Sequence, residues 1–437
     1  MQQTYFAQCQ HGSWYFLPWH RGYLLAFEEV LRDAIVGLGG PADWALPYWN
    51  YFRTGQSALP PAFASPDWPD GTGDNPLFVS QRWGPNNDGN VFVDVNQVDL
   101  LALNAGAFTG SSAGGSPGFG GPPTGFSHGS NRHGRLESQP HDMVHVLIGG
   151  ASPEDPMLDG VMSDPDTAGL DPIFWLHHTN IDRLWQTWRT TPAGVHTDPV
   201  AQAWLAGPQL NGQRRFVMPL PAGKTLEYRP EEMVDLVALG YSYDDLSPED
   251  APAPGPGSEA PRPRSDVEVP EVTDDDAELV GASEGPLVVS GTAAHASVRL
   301  DAQVRTRVSD SLAGVAADAP PDEVFLNLEN IRGLVDSTGF AVYVGPPGAD
   351  PANDARRLAG NVGLFGVRKA SELDGAHAGQ GLTIVLDITR IVDDLHLADG
   401  FDLDDLQVSL VPNTPVPEAA QISIGRIAIY RQGAGGR

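Results

Sequence analysis

Twelve histidines are spread over the 437 residues, and six of them fall in three short stretches whose spacing could hold a metal: His11 to Glu28, Pro140 to His145 and Asp171 to Asp182. His141 and His145 are four apart, which puts both rings on one face of a helix and within reach of one ion. His177 and His178 are adjacent, so their side chains diverge by about 100° around a helix and at most one of them faces that ion. Three imidazoles on two helices suit copper, zinc or iron. An HExxH string is absent, so a metalloprotease would lack its general base. Alone, an HxxxH pair is also what two surface or core histidines look like.

The elements that must position these residues are legible in outline. Apolar residues at Leu24, Leu25, Phe27, Leu31, Ile35 and Leu38 follow a helical period, predicting a helix from Pro18 to Leu38 that Gly39-Gly40 ends. A second, short helix is expected to open at Pro140 and stop at Gly149-Gly150. A third has Asp171 as N-cap, Pro172 at its first position, and runs through Trp188. The three stretches therefore sit on three helices. Glycine-rich sequence from Gly106 to Gly134 reads as surface loop.

All ten tryptophans lie between Trp14 and Trp204, whereas the later half is rich in Val, Ile, Leu and Asp, so two cores of different make are expected. Between them, residues 247–286 are dominated by Pro, Asp, Glu, Ala and Ser, a composition that buries no core and reads as an acidic linker. Beyond it, β-type runs such as Phe340 to Val344, Leu382 to Ile388 and Ile422 to Tyr430 predict an all-β sandwich over 287–437. The fold class is thus a mainly α domain over 1–246, a helical bundle with long loops, followed by that sandwich. Trp185, Trp188, Leu184 and Trp49 are expected in the first core, and His196, His295, His377 and His396 as surface or loop residues.

A net charge of −30 repels nucleic-acid phosphates and anionic membranes, so neither is an expected partner, and a small neutral molecule fits better. Cys9 is the sole cysteine, so no intrachain disulfide exists and the redox compartment is not reported. No stretch is long and apolar enough to span a bilayer, and no signal peptide is visible; cytoplasm and secretion both stay open.

His11 and His20 bring the sequence to a family. The string His11-x4-Phe16-Leu17-Pro18-Trp19-His20-Arg21-x2-Leu24-x3-Glu28 resembles the copper A signature of tyrosinases, polyphenol oxidases and molluscan haemocyanins. Asp171-Pro172-x-Phe174-Trp175-x2-His178-x3-Asp182 resembles their copper B signature. The resemblance covers roughly residues 1 to 245 and implies a type-3 dicopper centre: His11 and His20 on copper A, and His141, His145 and His178 on copper B. His177 would pack or hydrogen-bond beside them.

Further roles follow from the same resemblance. Cys9 and His11 match a Cys-x-His element that carries a thioether in fungal tyrosinases and haemocyanins; a free buried thiol is the alternative. Arg21 and Asp182, if paired, would lock the copper A and copper B helices together. Glu137 matches the place of a water-holding glutamate in plant enzymes, and Asp142 a place where monophenol-hydroxylating relatives often have Asn. Both are candidate catalytic groups: two carboxylates on one water would raise at least one pKa and make a base for phenols. Asp142 as no more than a cap for its helix is the other reading. Pro165 stands where some plant catechol oxidases have a gating Phe. Tyr241-Ser242-Tyr243 resembles the Tyr-x-Tyr element that closes the catalytic domain, and the β-rich remainder resembles the domain that covers the site in latent polyphenol oxidases; a stability domain and an oligomer contact are the other readings.

In relatives a third copper A histidine precedes the position of His11 by roughly two dozen residues, and only ten residues precede it here. His128 and His133 are conceivable substitutes, but the economical expectation is a chain truncated at its N-terminus. The implied activity is oxidation of o-diphenols to o-quinones with dioxygen, with ortho-hydroxylation of monophenols as an extension. The alternatives are a haemocyanin-like oxygen carrier and a copper-poor inactive homologue.

Overall fold

The computed structural model describes residues 9–68, 70–125, 131–190, 196–209, 214–248, 277–302, 322–348, 350–375, 378–399 and 404–433. Helix α1 spans Phe16–Gly37, with Pro18 in its first turn, where a missing N–H costs no intrahelical bond. Its first half, Phe16 to Leu24, is almost wholly buried, and its charged second half reaches solvent.

Helix α2 spans Met143–Gly149, preceded by wider helical turns over Glu137–Asp142. The expectation that Pro140 opens this helix needs correction. Helical turns begin at Arg135 and are interrupted at Gln139 (φ −142°, ψ 123°), because a proline forces the residue before it into extended backbone. Helix α3, Pro172–Thr190, starts where the sequence places it: Asp171 Oδ1 accepts from the Ile173 amide at 3.0 Å. Arg82 grips Asp171 with Nε and a terminal nitrogen at 2.7 and 2.6 Å, so the cap that starts α3 is itself fixed.

The glycine-rich segment is not a surface loop. Phe108, Phe119, Arg132 and most of residues 117–122 are buried. The segment is covered by the C-terminal domain: Gln432 Oε1 accepts from the Ser116 amide at 2.8 Å, and Asn327 Nδ2 donates to the Gly114 carbonyl at 3.0 Å. His196 lies in a loop but not at the surface: it is buried, stacks on Trp188 at 4.6 Å and pairs with that residue's carbonyl. Trp185, Trp188 and Leu184 lie fully inside the first core and Trp49 nearly so. His128, His377 and most of the acidic linker lie outside the described residues.

A short ribbon, β1 (Phe216–Pro219) with β2 (Thr225–Tyr228), closes the helical domain. The C-terminal domain is one antiparallel sheet: β3 (Ala277–Ser283), β4 (Leu287–Val288), β5 (Ala294–Leu300), β6 (Glu323–Arg332), β7 (Gly339–Gly345), β8 (Leu358–Gly363), β9 (Leu382–Asp387), β10 (Asp405–Pro412) and β11 (Ser423–Gln432). The strand order is β8-β7-β10-β5-β3-β11-β6-β9, with β4 beside β11. Strand β3 lies within 247–286, so the sheet starts earlier than the linker composition suggests; AELVGAS pairs with β5 and β11. The terminal strands approach each other, with Gly360 of β8 against Leu386 of β9, so the sandwich is realised as one sheet curled over its core. That core is separate from the helical one, which Phe365 alone enters from the C-terminal domain among the described buried residues. No helix of the described residues is long and apolar enough to cross a membrane.

Candidate metal centre

Two groups of donor atoms meet between α1, α2 and α3. The first is Cys9, His11 and His20, and the second His141, His145, His177 and His178; within each group the donor atoms lie within 4.8 Å of one another. The groups face each other, with His20 stacked on His178 at 4.6 Å between ring centroids and His11 tilted against His141 at 5.6 Å.

Backbone carbonyls set the rings. His20 Nδ1 lies 2.8 Å from the Phe16 carbonyl and His145 Nδ1 lies 2.7 Å from the Met162 carbonyl. A carbonyl can only accept, so both rings carry their proton on Nδ1 and offer the Nε2 lone pair. His20 Nε2 is 3.9 Å from Cys9 Sγ, and His145 Nε2 is 3.4 Å from His178 Nε2. His177 sits in the second group with Nδ1 3.4 Å from the Tyr51 hydroxyl; its Nε2 makes no hydrogen bond, though the His141 carbonyl faces the ring.

His141 Nε2, His177 Nε2 and His178 Nδ1 are buried without a hydrogen-bond partner. Such orphans are rare in a folded interior, where a buried nitrogen is satisfied by a hydrogen bond or by an ion. Burial, with neighbouring imidazoles, holds His141, His177 and His178 far below the usual histidine range, and burial pushes His145 down to about 3. Uncharged imidazoles with free lone pairs are the ligands a late transition metal takes. The donor set therefore fits copper.

Glu137 and Asp142 each accept hydrogen bonds from groups of the chain, and His133 Nδ1 lies near both. Both oxygens of Glu137 accept from the Gly12 amide, at 2.9 and 3.0 Å. Asp142 accepts from His141 Nδ1 at 2.9 Å and from His133 Nδ1 at 2.6 Å. Burial, with Asp142 nearby, raises Glu137, and burial raises Asp142. Burial disfavours the charged form of His133, but Glu137 and Asp142 outweigh it and push its pKa up to about 9. The role of His133 was not legible, because it lies in the segment read as surface loop.

Arg21 Nε is 2.6 Å from Asp182 Oδ1, both buried, which ties α1 to α3. Tyr241 and Tyr243 donate to Asp182 Oδ2 at 2.8 and 2.5 Å, and the Arg21 guanidinium lies 3.8 Å over the Trp185 ring.

A small cavity of about 20 Å³ beside the first group is lined by Cys9, His11, His20, Pro165, Phe174 and Phe365. Phe365 follows β8 and is buried, its ring stacked on His145 at 4.0 Å and 15°. Nothing in GLFGV marked it in the sequence. Pro165 is present where a gating aromatic was considered, and an aromatic arrives there from the other domain.

A family model described as the common central domain of tyrosinase matches residues 1–95 and 116–191, and a domain of unknown function (DUF7868) matches 276–432. A tyrosinase from Hahella sp. (strain CCB-MM4) is 34% identical over 99% of this chain and 86% of its own length. The chain belongs to the tyrosinase family. A chloroplastic polyphenol oxidase of Malus domestica is 29% identical over 54% of this tyrosinase-family chain, and the match spans only 38% of the apple protein. Solved structures of latent apple tyrosinase (TM-score 0.60, 22% identity, 97% of this chain, 84% of that one) and of recombinant latent aurone synthase (0.59, 20%, 98% and 77%) share the fold across both domains. Tyrosinases are copper oxidoreductases that oxidise phenols with dioxygen at a dicopper centre, and the buried histidines of this family member fit that centre.

Proposed function

We propose that this protein oxidises o-diphenols to o-quinones, with His11 and His20 holding copper A and His141, His145 and His178 holding copper B. The observation that carries the reading is the pair of facing imidazole groups, in the second of which the buried His141 Nε2, His177 Nε2 and His178 Nδ1 make no hydrogen bond. When bound, a copper pair supplies the electron exchange between a catechol and dioxygen.

The residues of the chain supply the rest. The Phe16 and Met162 carbonyls fix the His20 and His145 rings. The Arg21 to Asp182 pair fixes the distance between the helices that carry His20 and His178. A phenol ring would stack on His145 where Phe365 now stacks, since offset or parallel aromatic faces attract and the surrounding rings exclude water. Glu137, buried and biased toward its protonated form, is placed to hold a phenol's proton at a carboxyl oxygen. Asp142 serves His141 rather than the substrate. His177 supports the copper B rings from the Tyr51 side.

In the same reading Cys9 and His11 become joined by a thioether: an S–H and an imidazole C–H are replaced by a C–S bond, and two protons and two electrons pass to dioxygen. An intact mass lower by two hydrogens would report it. The C-terminal domain is a lid that keeps Phe365 over His145 until the acidic segment is cut. Catechol oxidation by the copper-loaded protein, before and after limited proteolysis, tests the reading. Oxygen uptake that reverses without quinone formation would favour the oxygen-carrier alternative.

A further inference from the structure

Asp142 stands between two imidazoles, and only one of them belongs to the metal-ligand set. A carboxylate accepts and does not donate, so His141 Nδ1 (2.9 Å) and His133 Nδ1 (2.6 Å) must both carry protons toward it. The consequence at His141 is a fixed tautomer, with Nε2 left as a lone pair inside the copper B group. At His20 and His145 a helix or loop carbonyl does the same job. A backbone carbonyl is held by its own chain, whereas the Asp142 side chain turns about two bonds and needs an anchor.

His133 is that anchor. It is buried, its Nδ1 is also 3.9 Å from Glu137 Oε1, and the Gly118 and Phe119 carbonyls hold the Arg135 and Leu136 amides just beyond it. The segment that carries it is pinned from the other side, where Asn131 Nδ2 donates to Thr383 Oγ1 at 3.3 Å. We propose that His133 is a positioning residue for copper B, holding the Asp142 carboxylate in the orientation that keeps the His141 proton on Nδ1 and its Nε2 toward the metal. Hydrogen-bond partners of metal-bound histidines set ring orientation and ligand strength, and losing them weakens metal binding by about 10–100-fold. This rests on the copper reading above.

The test uses the full chain with ¹⁵N-labelled histidine, with His133→Leu and His133→Asn beside the parent. The Asn side-chain amide can donate to Asp142 from nearly the place of the imidazole Nδ1. Two readouts are taken: the His141 tautomer from ring nitrogen shifts in metal-free protein, and copper(I) affinity by competition with a colourimetric chelator. The expected result is an Nδ1–H tautomer at His141 in the parent and in His133→Asn. In His133→Leu the tautomers mix and copper B binds about 10–100-fold more weakly. An unchanged tautomer and affinity in His133→Leu would overturn the proposal. Equal loss in both variants would also overturn it, because a purely structural role predicts that. If the parent binds no copper, the copper reading fails, while the tautomer readout still decides the role of His133.

Discussion

The rings of Phe365 and His145 lie face to face, 4.0 Å between centroids and 15° from parallel, although one residue follows a strand of the C-terminal sheet and the other sits on α2. A side chain of one domain thus covers a histidine of the other that is proposed to hold copper B. Truncating a buried Phe to Ala costs about 3–5 kcal/mol, and here much of that cost falls on domain docking. Uncleaved, copper-loaded Phe365→Ala is expected to oxidise catechol at least about tenfold faster than the parent, since about 1.4 kcal/mol is a factor of ten. Equal rates would contradict the lid.

Docking can be loosened without touching the cavity. A Cβ on Gly363 would lie 3.0 Å from the Asp142 carbonyl oxygen and the Met143 Cα, and backbone on both sides leaves nothing flexible to move. Gly363→Ala is expected to speed amide exchange in α2 and β8 and to raise activity of the uncleaved chain. Unchanged exchange would mean that the two backbones do not depend on this contact.

Above the pH range over which the interdomain ion pairs of Asp164 and Asp166 form, Asp336 should make docking weaken as pH rises. The Asp336 amide donates to Asp159 Oδ2 across the interface at 2.9 Å, and its own buried carboxylate accepts from the Arg368 amide at 2.8 Å. Burial first, then the charge of Asp159, holds Asp336 well above the usual carboxylate range; Arg368 offsets part of this, and Asp164 adds to it. A carboxyl whose docked pKa is raised binds more protons docked than free. The contribution of Asp336 to docking is therefore fully present below about pH 3.9 and is lost as pH rises from there through the raised value. Activity of the uncleaved chain, normalised to the cleaved chain, should rise over that window. Asp336→Asn should flatten the rise, and a profile identical to the parent would refute the assignment.

The Arg21 to Asp182 pair is a test of the helical frame. Arg21 is fully buried and Asp182 nearly so, and removing one partner of such a pair leaves an uncompensated charge that costs about 3–5 kcal/mol. Asp182→Ala also strands the Tyr241 and Tyr243 hydroxyls. Urea denaturation of the helical domain should show a loss of that size. A loss below about 1 kcal/mol, the range of exposed pairs, would show that the pair carries little.

The local part of this architecture was legible. Spacing alone put His141 with His145, and apolar period with caps located α1 and α3 to within a few residues. What was hidden depends on the second domain. The segment carrying His133 looks like a surface loop because glycine permits turns, yet it is buried where the sheet covers it. Phe365 sits in a short turn between β8 and the Val367–Ser371 helix, with Gly366 at φ +87°, and no local pattern says which cavity a turn residue enters. Strand β3 was masked by the acidic composition just before it.

The central claim is copper-dependent phenol oxidation at the facing imidazole groups, and catechol turnover by the copper-loaded, linker-cleaved protein beside His178→Ala tests it most directly. The account predicts quinone formation that requires copper and is lost in His178→Ala. Copper-loaded, cleaved protein that forms no quinone, or a His178→Ala variant as active as the parent, would contradict it.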